Sequence, residues 1–285
     1  MNQSRPQGSL TLDISGLTIA ISVPDRAWLP GLRERYHEFL SDAPSRWQVD
    51  LRHDPALIDT EHPWLRHHGR LSVFRVNAYS GWFDMARRYA TVTTPSHARA
   101  LSALERTLAY VCMQALPREY DALLLHSVGV EVNGLGHVFF GPSGAGKTTV
   151  ARLSEGHGRV LSDESVILRN TNQGVMLDST PFWGLSTPPA MIHRARKTVP
   201  LVALYALSHA PDFRLVRIRP WEAVSALLDT EKVAIERVES ASAWLSVAER
   251  LLAGVTVYRL SFPPTPDLWP FLISSSSAAP RGQVT

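Results

Sequence analysis

"FFGPSGAGKTTVARL", residues 139–153, decides how the rest of the chain is read. An apolar, strand-like start runs into a glycine-rich turn and then a helical pattern. The turn carries one of only three lysines in 285 residues. Gly141, Pro142, Ser143, Gly144, Ala145, Gly146, Lys147 and Thr148 fit the pattern G-x-x-x-x-G-K-[ST] at every fixed position. Each residue type has a physical reason. Glycines let main-chain N–H groups turn inward onto phosphate oxygens, a lysine reaches the terminal phosphates, and the hydroxyl after it ligates magnesium. A bare glycine turn joining strand to helix is the competing reading; "HVFF" before the turn and "TTVARL" after it favour the phosphate cradle.

A bound nucleotide brings a metal, and the metal requires a carboxylate at the end of a neighbouring strand. "RVLSDESVILR" (159–169), read as one strand, offers Asp163 and Glu164 directly after an apolar stretch. An isolated acidic pair is ordinarily solvated surface, but a cradle of this kind just upstream reverses that preference. Asp163 is then either a magnesium ligand or the base that takes the acceptor's proton, with Glu164 as the other half of the pair; the sequence does not apportion the two jobs. His126 in "LLLHSVG" is the third candidate. A lone strand histidine is usually a satisfied core residue, and only its place ahead of the cradle singles it out.

Further from the cradle, "ALLLHSVGVEVNGLGHVFF" holds two β-rich runs separated by Asn133-Gly134, a tight-turn signal. Strands are expected around 199–207 and 255–262, and a helix over 232–253. The first hundred residues read as a small mixed domain. A hairpin is expected over 10–23 and a helix near Pro30 with Leu32, Tyr36, Phe39 and Leu40 at helical spacing. The strand candidates "WQVDLR", "RLSVFRVNAY", "GWFDM" and "YATVTT" suggest a curved antiparallel sheet. A long helix over 96–116, with Leu101, Leu104, Leu108 and Val111 as its apolar stripe, links the halves. The polar, small-residue tail "SSSSAAPRGQVT" reads as a frayed end.

Composition narrows the classes. With 45% hydrophobic and 19% charged residues the chain is globular in type. Its net charge of +3 comes with scattered rather than clustered arginines, which argues against a nucleic-acid partner. The single cysteine, Cys112, lies in an apolar helical pattern and reads as a buried structural thiol. "MNQSRPQGSL" has no apolar run behind its charge, so it does not read as a secretory signal, and no run of apolar residues is long enough for a membrane span. A cytoplasmic location without membrane partners is expected. Glu61, His62, His67 and His68 in "EHPWLRHHGR" look like metal ligands on composition alone, but no helix or strand spacing makes them converge, so a polar loop is expected there.

The order of a histidine-bearing strand, a β-turn, a second strand, the cradle and a paired-acid strand resembles the HPr kinase/phosphorylase superfamily. That is a P-loop fold also related to ATP-dependent phosphoenolpyruvate carboxykinase. The resemblance is close over residues 120–170. It implies an α/β fold with an HPr-kinase-like P-loop core on a mixed β-sheet (119–273), preceded by a smaller α+β N-terminal domain (1–118) and followed by a flexible tail (274–285). It further implies that residues 143–149, Thr149 included, bind phosphate, that His126 tunes the catalytic acid, that Thr148, Asp163 and Glu164 form the magnesium site, and that ATP and Mg2+ are used.

Two features depart from that family. The acidic pair is Asp-Glu where two aspartates are usual, so phosphorolysis is not implied. The segment after the acids is replaced by "DSTPFWGL" and the basic "HRARKTVPL", which is more similar to the HPr-kinase-like enzymes found with ribosomally made peptides, including lasso-peptide kinases that phosphorylate a peptide serine. Arg194, Arg196 and Lys197 are candidates to neutralise charge on a transferring phosphoryl group, against a solvated basic turn. Phe182 and Trp183 either line an acceptor groove or pack in the core. The resemblance implies a peptide or small-protein acceptor and admits a homo-oligomer. A small-molecule or carboxykinase-like enzyme and a non-catalytic nucleotide-binding regulatory subunit are the other readings.

Overall fold

The computed structural model describes residues 8–68, 70–183, 195–230 and 241–278. They form a mixed α/β structure whose elements group into two compact units, the first built mainly from the chain up to Leu124 and the second beginning at Leu125.

The first unit opens with a hairpin of β1 (Gly8–Ile14) and β2 (Leu17–Val23). Alternation places Leu10, Leu12 and Ile14 from one strand and Leu17, Ile19, Ile21 and Val23 from the other in the core. The turn is made by Ser15 and Gly16, both at positive φ (57° and 87°), the two-residue geometry that matches strand twist. The Asp13 carboxylate accepts the Gly16 N–H at 2.7 Å. A 3-10 turn capped by Asp25 and the short helix α1 (Leu29–Arg35), with Pro30 in its first turn, then reverse the chain. Consequently β3 (Trp47–His53) joins β2 in parallel.

A meander of β4 (Trp64–His68), β5 (Leu71–Val76), β6 (Tyr79–Asp84) and β7 (Tyr89–Thr94) follows, and β7 closes onto β3, again in parallel. The sheet order is β1-β2-β3-β7-β6-β5-β4. It is mixed, not antiparallel as the strand pattern suggested, because a helix rather than a tight turn connects β2 to β3. The "HPWLRHHGR" stretch supplies β4 instead of a loop, so the successive His67 and His68 face opposite sides of the sheet. The helix α2 (Ala100–Glu119) buries Leu104, Leu108 and Val111 together with Cys112, whose thiol is pushed up to about 12 by burial. Leu101, expected in the stripe, is 37% exposed in the first turn of the helix.

After β8 (Ala122–Leu125), the second unit is organised around β9 (Ser127–Val132) and β10 (Leu135–Phe140), an antiparallel pair joined by Asn133-Gly134 at φ 53° and 78°. From β10 the chain passes through the glycine turn into α3 (Lys147–Leu153). The expected single strand over 159–169 is two strands, β11 (Arg159–Ser162) and β12 (Val166–Thr171), broken at the acidic pair. There follow β13 (Gly174–Asp178), β14 (Thr198–His209), β15 (Arg214–Arg217), α4 (Pro220–Thr230), α5 (Ala241–Ala253), β16 (Thr256–Phe262) and α6 (Leu268–Ala278).

Neighbouring strands run β11-β9-β10-β14-β13-β12, with β16 and then β15 beyond β14. Strands β10, β14 and β16 are mutually parallel, so their carboxyl ends share one edge. The helix α4 was not expected from sequence. Of the helix expected over 232–253, residues 232–240 lie outside the described residues. Residues 274–278 of the expected tail continue the helix α6. Among the described residues, no helix is long and apolar enough to cross a membrane.

The core of this unit is aromatic. Phe139 stacks on Tyr205 with ring centroids 4.8 Å apart, Trp269 meets both Phe139 and His137 edge-on, and the buried Trp269 Nε1 donates to Ser154 Oγ at 3.0 Å. Burial in this cluster drops His137 from its ordinary 6.5 to about 4. The fold therefore prefers the neutral ring, and its contribution to stability is complete above pH 6.5 and lost as the pH falls towards 4. Between pH 7 and 4.5 this group alone should remove ~2.5 kcal/mol of stability. Urea unfolding of the native chain and of His137→Phe at those two pH values measures it, and the variant should show a loss smaller by about that amount.

Candidate functional site

The apolar end of β10, with Val138, Phe139 and Phe140 all buried, fixes where the glycine turn begins. Within the turn the Ala145 N–H donates to Pro142 O at 3.1 Å, and Val150 N–H donates to Gly146 O at 2.9 Å as α3 starts. Gly144 and Gly146 sit at φ +82° and +105°, where a side chain is disfavoured. At Gly146 there is also no room. A Cβ would stand 2.8 Å from Phe262 Cζ and 3.2 Å from His209 Cε1. Pro142, Ser143, Gly144 and Thr148 are exposed, Lys147 and Thr149 half-buried, and Ala145 buried. The Lys147 ammonium lies along the turn, donating to Gly141 O at 2.6 Å and to Pro142 O at 3.3 Å.

The acidic pair owes its place to a serine. The buried Ser162 Oγ accepts N–H groups from Glu164 (3.2 Å) and Ser165 (3.1 Å), and this turn breaks the ladder between β11 and β12. Asp163 and Glu164 therefore stand at the end of β11 rather than inside a strand, both half-buried. Glu164 O accepts the Ser127 N–H at 3.2 Å, which ties the acids to the start of β9. His126 Nδ1 and Glu164 Oε1 are 3.6 Å apart, with side chains 40% and 46% exposed, so the attraction between them is solvent-screened and weak.

Register explains why these groups meet. Ser127 lies opposite Phe140 across the β9–β10 ladder, and Gly129 lies opposite Ser162 across the β9–β11 ladder, with a register shift between Val160 and Ser162. The residue before β9, His126, is therefore flanked by the residue after β10, Gly141, and by the acids after β11. At a strand spacing of about 4.8 Å, three adjacent strand ends span roughly 10 Å. The sequence-derived residues His126, Gly141 through Thr149, Asp163 and Glu164 thus gather at one edge of one sheet. Their chemistry suits a nucleotide with magnesium: inward-turning main chain, one ammonium, and hard hydroxyl and carboxylate oxygens.

The basic segment does not join them. Leu201 lies opposite Gly136 and Ala206 opposite Phe140, so β14 runs towards the glycine turn and Arg196 precedes its far end. From Thr198 to Ala206 the strand covers about 26 Å at a rise of about 3.3 Å per residue, beyond the reach of an arginine side chain. Arg196 is exposed there, and its expected role at the transferring group is corrected on that ground. Lys197 binds Glu131 at 2.6 Å at the same far end. Arg194 lies outside the described residues. Phe182 and Trp183 are each 4% exposed, so they pack in the interior rather than line a groove.

Sequence reasoning missed His209, the last residue of β14. Its Nε2 is 2.8 Å from Gly144 O, and its ring stacks on Phe262 with centroids 5.9 Å apart. In the sequence it is only a histidine two residues beyond the expected strand end, and the direction of β14 that brings it to the glycine turn comes from the sheet.

No family model matches the chain, and no curated protein matches it. Among solved structures, the HPr(Ser) kinase/phosphatase from Coxiella burnetii is similar over 54% of this chain and 95% of that one, at 12% identity and a TM-score of 0.29. A likeness at that level carries no weight for the site, which rests on the geometry above.

Substitution separates the two turn glycines. Gly144→Ala meets open space and suffers only from its backbone angle, about 1 kcal/mol. Gly146→Ala adds a clash with Phe262 and should cost about 3 kcal/mol. Chemical denaturation of both variants should rank them in that order.

Proposed function

We propose that this protein is an ATP-dependent kinase that transfers the γ-phosphoryl group to a hydroxyl, with a serine of a peptide or small protein as acceptor. The observation that carries this reading is the sheet register: it brings a complete phosphate-cradle motif, a paired acid and a histidine to one edge. The motifs' resemblance to HPr-kinase-like enzymes of ribosomal-peptide pathways supplies the class of acceptor.

In this reading the amides of residues 143–149 bind the phosphates. Lys147 leaves the Gly141 and Pro142 carbonyls for the terminal phosphate oxygens, an exchange of one set of acceptors for a more highly charged one. Thr148 and one acid of the pair would hold magnesium, whose charge offsets that of the phosphates. The acceptor oxygen forms the new bond to the γ-phosphorus, the bond from that phosphorus to the bridging oxygen breaks, ADP leaves, and a carboxylate of Asp163-Glu164 takes the hydroxyl proton. Asp163 is assigned this proton, because His126 approaches the other acid, Glu164. Proton exchange is helped by the partial exposure of these groups.

Incubation with magnesium, γ-labelled ATP and serine-containing peptides tests the proposal directly. Transfer to a metabolite but never to peptides would replace it with a small-molecule kinase, and binding without turnover would replace it with a regulatory subunit. Lys147→Ala should reduce nucleotide affinity at least tenfold, an effect on the order of 1.4 kcal/mol. Asp163→Asn should lower turnover by about 10²–10⁴ with little change in nucleotide affinity. His126→Ala should reduce turnover more than affinity; equal losses in both would remove it from the mechanism.

A further inference from the structure

The glycines that let the cradle fold also make it costly to order. Gly144 and Gly146 populate both signs of φ in a free chain, so a loop built on them loses more entropy on fixing than an ordinary one. Something must hold it in shape before a ligand arrives if affinity is not to suffer. We propose that His209 does this: it is a positioning residue that pre-organises the nucleotide loop through the peptide between Gly144 and Ala145.

The geometry is specific. A peptide unit is planar, with its C=O and N–H pointing in opposite directions. On the C=O side, His209 Nε2 lies 2.8 Å from Gly144 O; a carbonyl only accepts, so Nε2 carries the proton and donates. On the N–H side, Ala145 donates to Pro142 O at 3.1 Å. The plane is therefore held at both ends, which fixes ψ of Gly144 and φ of Ala145.

The donor is itself fixed. His209 lies opposite Phe262 in the parallel β14–β16 ladder, and the two rings stack at 5.9 Å and 30°. Both rings lie under Gly146, within 3.3 Å of where its Cβ would be. Two parallel strands thus end in rings that form a platform for the turn, and one ring contributes a hydrogen bond. His209 touches no reacting atom in this arrangement and acts through the loop.

The inference rests on the cradle being the nucleotide site, and the test separates the two. Magnesium·ATP is titrated calorimetrically into the full chain and into His209→Phe, His209→Gln and Lys147→Ala, with circular dichroism confirming the fold of each. Phenylalanine keeps the stack and removes the donor; glutamine restores a donor nitrogen at about the Nε2 position without the ring. His209→Phe should bind about fivefold more weakly, the loss of one hydrogen bond, and should raise KM for ATP with kcat unchanged. His209→Gln should recover most of that affinity. Native affinity in His209→Phe alongside impaired Lys147→Ala would overturn the role of His209 while leaving the nucleotide site intact. A weakened His209→Phe that His209→Gln does not rescue would overturn the donor role in favour of ring packing. Native affinity in Lys147→Ala would overturn the nucleotide reading itself.

Discussion

The second unit depends on a single constraint: β9 must pair with β10 on one side and with β11 on the other in one fixed register. A strand's side chains alternate faces, so a slip of one residue would turn Val128, Val130 and Val132 out of the core. The opposite face resists the slip as well. Gly129 lies so close to β12 that a Cβ there would stand 2.7 Å from Val166 Cγ1. Any other residue brought to that point by a slip would have to push the strands apart. The Asn133-Gly134 turn then sets the β9–β10 alignment from the loop end. Packing on two faces and turn geometry select the same register, and the placement of His126 against Gly141 and the acids follows from it, with the Ser127 N–H bond to Glu164 O tying the acids to β9.

Much of this was legible in the chain because it is local. Ser15-Gly16 and Asn133-Gly134 announce their hairpins, since few residues other than glycine and asparagine tolerate positive φ. The glycine turn announces itself because the motif requires particular residues at fixed spacing. What was not legible depends on partners distant in sequence. Strand alternation in "WQVDLR" is the same whether its neighbour is parallel or antiparallel, so the β2–β3 pairing could not be read from it. The break at Asp163 depends on a serine hydroxyl capturing two amides, which an apolar-run pattern does not show. Arg196 looked suitable by its charge. Its strand, however, runs towards the cradle rather than away from it, and direction is a property of the sheet.

The cradle itself uses few side chains. In the proposed reading its binding groups are main-chain amides, which every residue has, so the sequence must specify their orientation rather than their identity. Glycine permits the required conformation but does not enforce it. Enforcement falls to the surroundings, namely the buried Phe140 ahead of the turn, the Ala145 side chain tucked into the core, the Lys147 ammonium bonded to two of the loop's own carbonyls, and the His209–Phe262 platform beneath. The platform comes from β14 and β16, more than fifty residues away along the chain, which is why a motif match alone does not establish a formed site.

The two ends of β14 show how the unit divides its charges. At the far end from the cradle, Arg169 binds Asp178 through two contacts at 3.0 and 3.3 Å, Thr198 Oγ1 donates to the same carboxylate at 2.6 Å, and Lys197 binds Glu131 at 2.6 Å. Asp178 is 4% and Glu131 14% exposed, so these carboxylates need their partners, and removing one partner would strand a charge in a poorly solvated place. At the cradle end, His126 and Glu164 keep 40% and 46% of their side-chain surface. In the proposed reading these are groups that gain and lose protons or exchange water for a ligand, which requires solvent access, whereas a group that fixes strand ends does better when sealed. The sheet therefore places its committed ion pairs at one edge and its adjustable ones at the other, and the glycine turn opens onto the adjustable edge.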